Sequence, residues 1–237
     1  MQPLRLFAAL VIGLLASHVT LAQMAPAEFA GVTGAPFSAV RSQQSARNFA
    51  DGNRIDRGHS VRLYRDSQGR TRVEHDIPVQ MVKIDDPVSG EIYQLDPRSK
   101  TAMVFKMHPP QGARPASEAP AVFVTWGGHL YGPKDPGWSQ PVSLSEQSMD
   151  GIRVIGVRRQ YTLAVGAVSN EKPIVLTVEQ WYSPDLGLLI KKETRATTGG
   201  EFSMEVENVV RAEPDPALFQ IPAGYTRVDV GHPSVAR

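Results

Sequence analysis

The chain has 237 residues, no cysteine, 25 Lys and Arg, and 24 Asp and Glu. The lack of cysteine excludes disulfides, thiol nucleophiles and thiolate metal sites. The balanced charge argues against a nucleic-acid partner, because nucleic-acid binding depends on a concentrated basic surface. The length is sufficient for a buried apolar core.

The N-terminus has the pattern of a secretory signal peptide. Arg5 precedes a mostly apolar run at 6–15, which is shorter than the roughly 20 residues of a membrane-spanning helix. We expect residues 1–22 to be removed by cleavage near Ala22. The mature chain is then periplasmic or secreted, has no transmembrane segment and begins with a flexible lead at 23–35.

Residues 36–230 are predicted to form a single antiparallel β domain, followed by a C-terminal tail at 231–237. Apolar and polar side chains alternate along most of this range, and short turns separate the alternating segments. In the first hairpin, Val61 and Leu63 share a face and the turn has the sequence SQGR. In the turns DDPVSG and DPRSK, Asp is placed to accept hydrogen bonds from the backbone beyond Pro. A short helix within 36–52 remains an open alternative.

An irregular excursion at 108–141, rich in Pro, Ala and Gly, interrupts the strands. Order resumes with a hairpin around an Asp-Gly turn and a second hairpin around SPDLG. One face of the last long strand is expected to carry Phe202, Met204, Val206 and Val210. The total is roughly ten strands, by the alternation of apolar residues.

The sequence contains no recognisable catalytic or metal-binding motif. It lacks a nucleophile elbow and a glycine-rich phosphate loop before a helix. The histidines beyond the signal do not have metal-ligand spacing. We therefore predict no catalytic residue, no metal and no cofactor, and a hydrolase is the weakest of three functional hypotheses. These histidines are His59, His75, His108, His129 and His232.

Three arginines of the first hairpin, Arg62, Arg70 and Arg72, are predicted to share one face. Such a stripe is able to bind an acidic partner or an anionic lipid head group. The alternative is a solvated sheet face with cross-strand ion pairs, for example to Glu74.

Large apolar side chains are the candidates for lining a ligand cavity. Aromatic residues cover a large area and are common in ligand sites, as they are in ordinary cores. The candidate ligand-binding residues are Trp126, Tyr131, Trp138, Trp181, Phe202, Met204 and Phe219.

The closing segment VVRAEPDPALFQIPAGYTRV contains two carboxylates, Glu213 and Asp215, and each is followed by a proline. Asp215 is placed to cap a short helical turn that starts at Pro216. Leu218 and Phe219 are then expected to enter the open end of the sheet, while Glu213 is solvated. The segment is therefore interpreted as a plug rather than as an acid–base pair.

The hairpins DSQGRTRVE, DPVSGEIYQLDPRSKTA and EQWYSPDLGLLIKKE, followed by this closing segment, resemble the periplasmic lipoprotein-carrier (LolA-like) superfamily. The resemblance covers roughly 36–230. Exported proteins of soil bacteria with the same succession of strands and turns are more similar still. The resemblance implies an unclosed antiparallel half-barrel with few short helices, which holds an acyl chain in an apolar hollow.

The leading hypothesis is an exported, non-enzymatic binding protein for a lipid, an acyl chain or another apolar ligand. A lipid or an acylated protein is then the expected partner. The alternative is a periplasmic protein-interaction or envelope-sensing module. Its envelope protein partner would contact the three arginines and the excursion at 108–141.

Overall fold

The structure, a computed structural model, describes residues 32–75, 80–106, 124–126, 129–131 and 136–231. Within these ranges the chain is almost wholly strand and turn. The predicted signal peptide and most of the predicted lead and tail lie outside the described residues. In the described part, no helix combines the length and apolar character needed to cross a membrane.

The described residues form fifteen strands and one short 3₁₀ helix, Pro216–Phe219. The strands are β1 (Phe37–Asn48), β2 (Arg54–Arg65), β3 (Thr71–His75), β4 (Met81–Asp86), β5 (Glu91–Asp96), β6 (Thr101–Lys106), β7 (Val124–Trp126), β8 (His129–Tyr131), β9 (Val142–Ser143), β10 (Gln147–Met149), β11 (Ile152–Leu163), β12 (Ile174–Ser183), β13 (Leu188–Ala196), β14 (Gly200–Val210) and β15 (Thr226–Gly231).

Thirteen of these strands belong to one open sheet. Its order is β10-β11-β12-β13-β14-β1-β2-β3-β4-β5-β6-β15, with β9 paired to β11 beside this path. All neighbours are antiparallel except β15, which runs parallel to β6. The predicted mainly β, unclosed antiparallel sheet is therefore confirmed. It has more strands than predicted, because several are only two or three residues long and show no readable alternation.

The alternative of a short helix within 36–52 is wrong, because β1 (Phe37–Asn48) forms in this segment. β1 lies inside the sheet and pairs with β2 on one side and β14 on the other. Its sequence, FSAVRSQQSARN, has no strong alternation of its own. Pairing on both edges decides its conformation, since strand formation depends more on context than on intrinsic preference.

The Leu63 face, defined by the cross-strand row through Leu63, is the first of two faces of the sheet. In this row Leu63 stands opposite Ala39 on β1 and Val73 on β3. Further rows on the same face carry Met204 and Val178. All five residues are buried, so the face carries apolar side chains from β12 to β3.

The Ile84 face is the opposite face, where successive strand residues alternate away from the Leu63 face. Here Ile84 pairs with Tyr93, which pairs with Val104. Phe219 of the 3₁₀ helix packs into this buried cluster. The main apolar clusters thus lie on one face over β12 to β3 and on the other over β4 to β6, which requires a strict register.

A β-bulge changes the predicted face of the last long strand. Ser38 pairs with Val210, and Val40 pairs with Glu207, so β14 has one extra residue there. Asn208 takes up this residue with a φ of 54°, in the left-handed region that Asn tolerates. Met204 and Val206 are buried as expected. The prediction for Val210 is wrong, because the bulge shifts the alternation and leaves it exposed.

The described parts of the excursion predicted at 108–141 contain short strands. β7 and β8 form a separate two-stranded sheet. Further on, Trp138 makes an antiparallel bridge to Tyr161, and β9 and β10 pair with the same strand, β11. These short pairings cover the outer edge of β11, and a covered edge cannot recruit another chain.

The first prediction concerns Gly156, where Trp181 of the neighbouring strand lies directly over the backbone. A Cβ added at Gly156 would lie 2.5 Å from the Trp181 ring. We expect Gly156→Ala to lower the free energy of unfolding by about 1–3 kcal/mol, as overpacking does. Gly58→Ala is the control, because its Cβ would meet its nearest atom at 3.4 Å. Urea unfolding measures both changes, and equal effects would contradict this account.

Glu91 attaches the last strand to the sheet. Its Oε1 accepts hydrogen bonds from Arg227 Nη2 at 2.9 Å and from Lys106 Nζ at 2.5 Å. The Tyr93 hydroxyl donates to Oε2 at 3.1 Å. The hydrogen bond from Arg227, then that from Lys106, lowers the pKa of Glu91 from 4.5 to about 2.

Because the folded-state pKa of Glu91 lies below the unfolded one, its contribution to stability is present above about pH 4.5 and is lost as the pH falls toward 2. We expect Glu91→Gln to lower the melting temperature at neutral pH, with a difference from wild type that shrinks across this range. Glu171→Gln, at an exposed site, is the charge-matched control. A difference independent of pH would show that the ion pairs do not cause the effect.

Candidate functional site

The Leu63 face carries an apolar cluster that includes several of the residues predicted to bind a ligand. Met204 and Val206 are buried in its central cluster, and Phe202 packs against this cluster while staying partly accessible. Phe202 stands opposite Thr194 on β13 and Ser45 on β1. The apolar centre of the face therefore opens toward solvent at Phe202, where β1 and β2 continue beyond it.

Thr194 places a polar group in this apolar surface. The residue is 5% exposed, and its hydroxyl has no hydrogen-bond partner among the described residues. Burying an unpaired hydroxyl costs free energy, on the order of 1–3 kcal/mol in proteins. Because Thr194 and Phe202 are direct cross-strand neighbours, this hydroxyl lies beside the accessible edge of the apolar face.

A buried ion pair lies in the same face on β4. Lys83 Nζ is 3.1 Å from Asp85 Oδ1, and Thr71 Oγ1 lies 3.4 Å from Asp85 Oδ2. Lys83 belongs to the cross-strand row of Leu63 and Val73. The Leu63 face therefore carries a buried polar group at β4, next to the buried Ile92 and Phe105 of β5 and β6.

Trp138 and Trp181 both belong to buried clusters but not to the same one. The Trp138 ring lies edge-on to Tyr161 with centroids 5.0 Å apart, and the Arg159 guanidinium lies 4.9 Å from the Trp138 centroid. Tyr161 pairs with Leu176, which places Trp138 on the Leu63 face beside β12. Trp181 belongs to the central cluster that contains Met204.

Phe219 does not join these residues. It is 2% exposed and packs on the Ile84 face, on the opposite side of the sheet from Met204. The short helix of the closing segment is capped as predicted, because Asp215 Oδ1 accepts a hydrogen bond from Ala217 N at 2.9 Å. Glu213, expected to be solvated, accepts hydrogen bonds from Ser67 N at 3.1 and 3.2 Å. This carboxylate fastens the closing segment to the β2–β3 turn.

Trp126 and Tyr131 are the ends of the small β7–β8 hairpin. Trp126 pairs with His129, and Tyr131 pairs with Val124. Their side chains lie outside what the structure describes. Their proposed role in ligand binding therefore remains a prediction.

The three arginines of the predicted stripe have separate roles. Arg62 is 51% exposed and pairs with Glu74 at 2.9 Å, as in the alternative that we considered. Arg72 also contacts Glu74, at 2.7 Å, and donates to the Leu218 carbonyl at 2.8 Å. The Arg70 guanidinium lies 5.2 Å from the centroid of the Phe219 ring. Two of the three arginines thus support the closing segment.

A cavity of about 210 Å³ lies on the Ile84 face, at the end of β1 and β2 that is next to the turn between them. Its charged residues are already paired: Arg54 with Asp56 and Glu201, and Arg195 with Glu193. The cavity therefore offers no uncompensated charge to a ligand. Its lining consists of Gln44, Ala46, Arg54, Asp56, Glu193, Thr194, Arg195, Glu201, Phe202 and Ser203.

Sequence reasoning missed Thr194 and the Lys83–Asp85 pair. Thr194 lies on β13 in the same alternating series as Leu188 and Ile190, and this was its only signal. Lys83 and Asp85 take the polar positions of β4 between Val82 and Ile84, so alternation alone predicts them to be exposed. Within the described ranges, no three His, Asp or Glu residues are grouped so that they could hold a metal ion.

The fold and this geometry define the chain as an open-sheet, mainly β protein. No family model matches it, and no curated protein matches it. Among solved structures it is similar to a LolA superfamily protein from Nitrosomonas europaea, at 10% identity and a TM-score of 0.33, over 81% of this chain and 94% of the other. The superfamily that the closing segment resembles is thus among the matches.

Two further structures are similar at the same level. LprF from Mycobacterium bovis matches at 11% identity and a TM-score of 0.30, over 77% of this chain and 90% of its own. The MucA/MucB complex of Pseudomonas aeruginosa matches at 12% identity and a TM-score of 0.38, over 77% of this chain and 55% of the other. With TM-scores below 0.5, these likenesses carry no inference about function.

The different contacts of Arg72 and Arg62 predict different effects of their substitution on the free energy of unfolding. We expect Arg72→Met to lower the free energy of unfolding by about 1–3 kcal/mol, because it removes the donor to the Leu218 carbonyl and one of the two ion pairs of Glu74. Arg62→Met removes an exposed ion pair, which is worth about 0–1 kcal/mol. Chemical denaturation of both variants measures the difference. If Arg62→Met is the more damaging change, the assignment of Arg72 to the closing segment is wrong.

Proposed function

We propose that this chain is an exported, non-enzymatic protein that holds a lipid, an acyl chain or another apolar ligand against the Leu63 face. One observation carries the proposal: this face presents buried apolar side chains from β12 to β3, with partly accessible Phe202 at its margin. The one helix in the described residues, Pro216–Phe219, packs on the opposite face. An acyl chain matches such a surface because its burial needs area and no directional contact.

Thr194 supports a ligand with a polar end. Its buried hydroxyl lacks a partner and lies beside Phe202. A carboxyl, ester or hydroxyl group of the ligand at this margin would satisfy Thr194, while the hydrocarbon extends along Met204 and Val178. This arrangement suits a fatty acid, a lipid or an acylated protein better than a plain hydrocarbon.

The predicted export of the chain is consistent with a lipid-binding role. The predicted signal at 1–22 directs the chain to the periplasm or beyond the cell, where the partner is a lipid or an acylated protein. An interaction or envelope-sensing role has less support, because Arg70 and Arg72 contact the closing segment. Only Arg62 of the predicted stripe is mostly exposed.

The proposal predicts that a fluorescent fatty acid binds to the purified protein and that Phe202→Ala weakens this binding by at least about tenfold. The estimate follows from the worth of burying a Phe side chain, about 1.5–3 kcal/mol. Leu218→Ala is the control, because it also removes a partly buried apolar side chain, but from the Ile84 face. Fluorescence titration of wild type and both variants gives the dissociation constants.

Lipid extraction and native mass spectrometry of protein from its own host give a second measurement. A co-purifying lipid that is lost from Phe202→Ala and retained by Leu218→Ala would agree with the proposal. Wild-type protein that is empty and also fails to bind the fatty acid would overturn it. Equal weakening by the two variants would move the site away from the Leu63 face.

A further inference from the structure

The end of the β1–β2 hairpin is the most exposed part of the sheet. Every residue from 47 to 60 is exposed, including both strand ends and the turn at 49–53. β3 pairs with β2 only over Val61–Arg65. In the described part of the chain, nothing pairs with the outer edge of β2 over 54–60. We call residues 47–60 the hairpin tip.

The hairpin tip exposes two large apolar side chains, Phe49 at 38% and Ile55 at 46%. Arg47 connects them: it stands directly opposite Ile55, and its guanidinium lies 5.4 Å from the centroid of the Phe49 ring. Single exposed apolar residues are ordinary on protein surfaces. Here, however, two exposed apolar side chains lie beside the same cation at the end of a hairpin. Together they form a distinct patch.

The charge on this side of the tip is positive and uncompensated. Arg57 and His59 follow Ile55 at alternate positions of β2, so they point to the same face. Neither Arg47 nor Arg57 forms an ion pair with a described residue. The carboxylates nearby belong elsewhere. Asp56 and Glu201 point to the other face, where Arg54 holds them at 2.9 and 3.3 Å, and Asp51 in the turn accepts from Asn53 N.

We propose that the hairpin tip docks on an anionic phospholipid bilayer. The cations of Arg47 and Arg57 would lie among the lipid phosphates, and the side chains of Phe49 and Ile55 would enter the boundary of the acyl region. Two apolar side chains and the two arginines give reversible binding rather than a permanent anchor. Charge complementarity selects this occupant, because the apolar side chains sit within the basic patch rather than beside an acidic one.

The position of the tip relative to the Leu63 face gives the docking a consequence. Arg57 pairs with Ser45, and Ser45 pairs with Phe202 in the same cross-strand row. Docking would therefore bring the accessible margin of the Leu63 face to the bilayer surface. The docking itself does not depend on the proposed function, since it is measurable without any ligand on that face.

Vesicle flotation tests the docking. The full mature chain is mixed with vesicles of phosphatidylglycerol and phosphatidylcholine in equal parts, or of phosphatidylcholine alone. We expect binding to the anionic vesicles only, with a loss at high salt because screening shortens the reach of charge to about 3 Å at 1 M. The double variant Arg47→Ser/Arg57→Ser should bind about 25-fold more weakly, at roughly fivefold per arginine near the surface.

The double variant Phe49→Ser/Ile55→Ser should also weaken vesicle binding, while binding to a soluble polyanion such as heparin changes little. Matched controls lie at the other end of the sheet: Arg153→Ser/Arg211→Ser removes the same charge, and Val88→Ser/Val210→Ser removes two exposed apolar side chains. The controls should leave vesicle binding unchanged. All of these positions are exposed, so thermal melting should show that each variant folds.

Three results would overturn the proposal. The first is equal vesicle binding by wild type and Arg47→Ser/Arg57→Ser. The second is vesicle binding that Phe49→Ser/Ile55→Ser does not change, which would assign the patch to soluble anions. The third is a dimer in size-exclusion chromatography that the tip variants abolish, which would make a second copy of the chain the occupant of the tip.

Discussion

The register of backbone pairing across the whole open sheet, from β11 near one edge to β15 at the other, is the constraint on which the rest of the structure depends. The apolar clusters lie on the Leu63 face from β12 to β3 and on the Ile84 face from β4 to β6, where the Leu63 face also buries Ile92 and Phe105 beside polar side chains. In a strand, a shift of one residue moves every side chain to the other face. A slip between β3 and β4 would therefore expose both apolar surfaces at once. At the bulge in β14, Asn208 accommodates the extra residue with a φ in the left-handed region.

Polar side chains fix the segments that have no long ladder of their own. Arg65 is fully buried, donates to the Ala35 carbonyl at 2.6 Å and to the Leu186 carbonyl, and lies over the Phe37 ring. It thus joins the start of the domain to the β12–β13 turn. Glu213 and Arg72 act in the same way on the closing segment. Arg72 makes its contact on the Ile84 face, whereas Arg65 lies on the Leu63 face, two residues along β2 from Leu63.

The two proposals place complementary functions on one side of the sheet. The apolar Leu63 face would hold a hydrocarbon, with Thr194 beside its margin. The hairpin tip continues the same face into solvent and carries its free cations and exposed Phe49. A protein that exchanges a lipid with a membrane needs an apolar surface and a way to approach the bilayer, and the cross-strand row from Phe202 to Arg57 joins the two.

Local residue chemistry predicted the hairpins well. The Asp-Gly turn has φ values of 47° at Asp150 and 77° at Gly151, and Asp215 caps its short helix as expected. Prediction failed where distant segments decide. β1 is a strand because β2 and β14 flank it, and Val210 is exposed because of a bulge whose partner is on β1. Of the candidate ligand residues, Trp138, Phe202 and Met204 share a face, but Phe219 does not.

The sequence by itself determined that the chain is mainly β, that it lacks thiol chemistry, where its hairpins turn and how its closing segment is capped. Each of these follows from residue types or from contacts within a few positions along the chain. Only the tertiary structure decided which face each strand buries, that Phe219 packs opposite Met204, and that Arg57 and Phe202 lie in one row. These facts depend on register between strands far apart in sequence, and alternation alone specifies a period of two without saying which side faces the core.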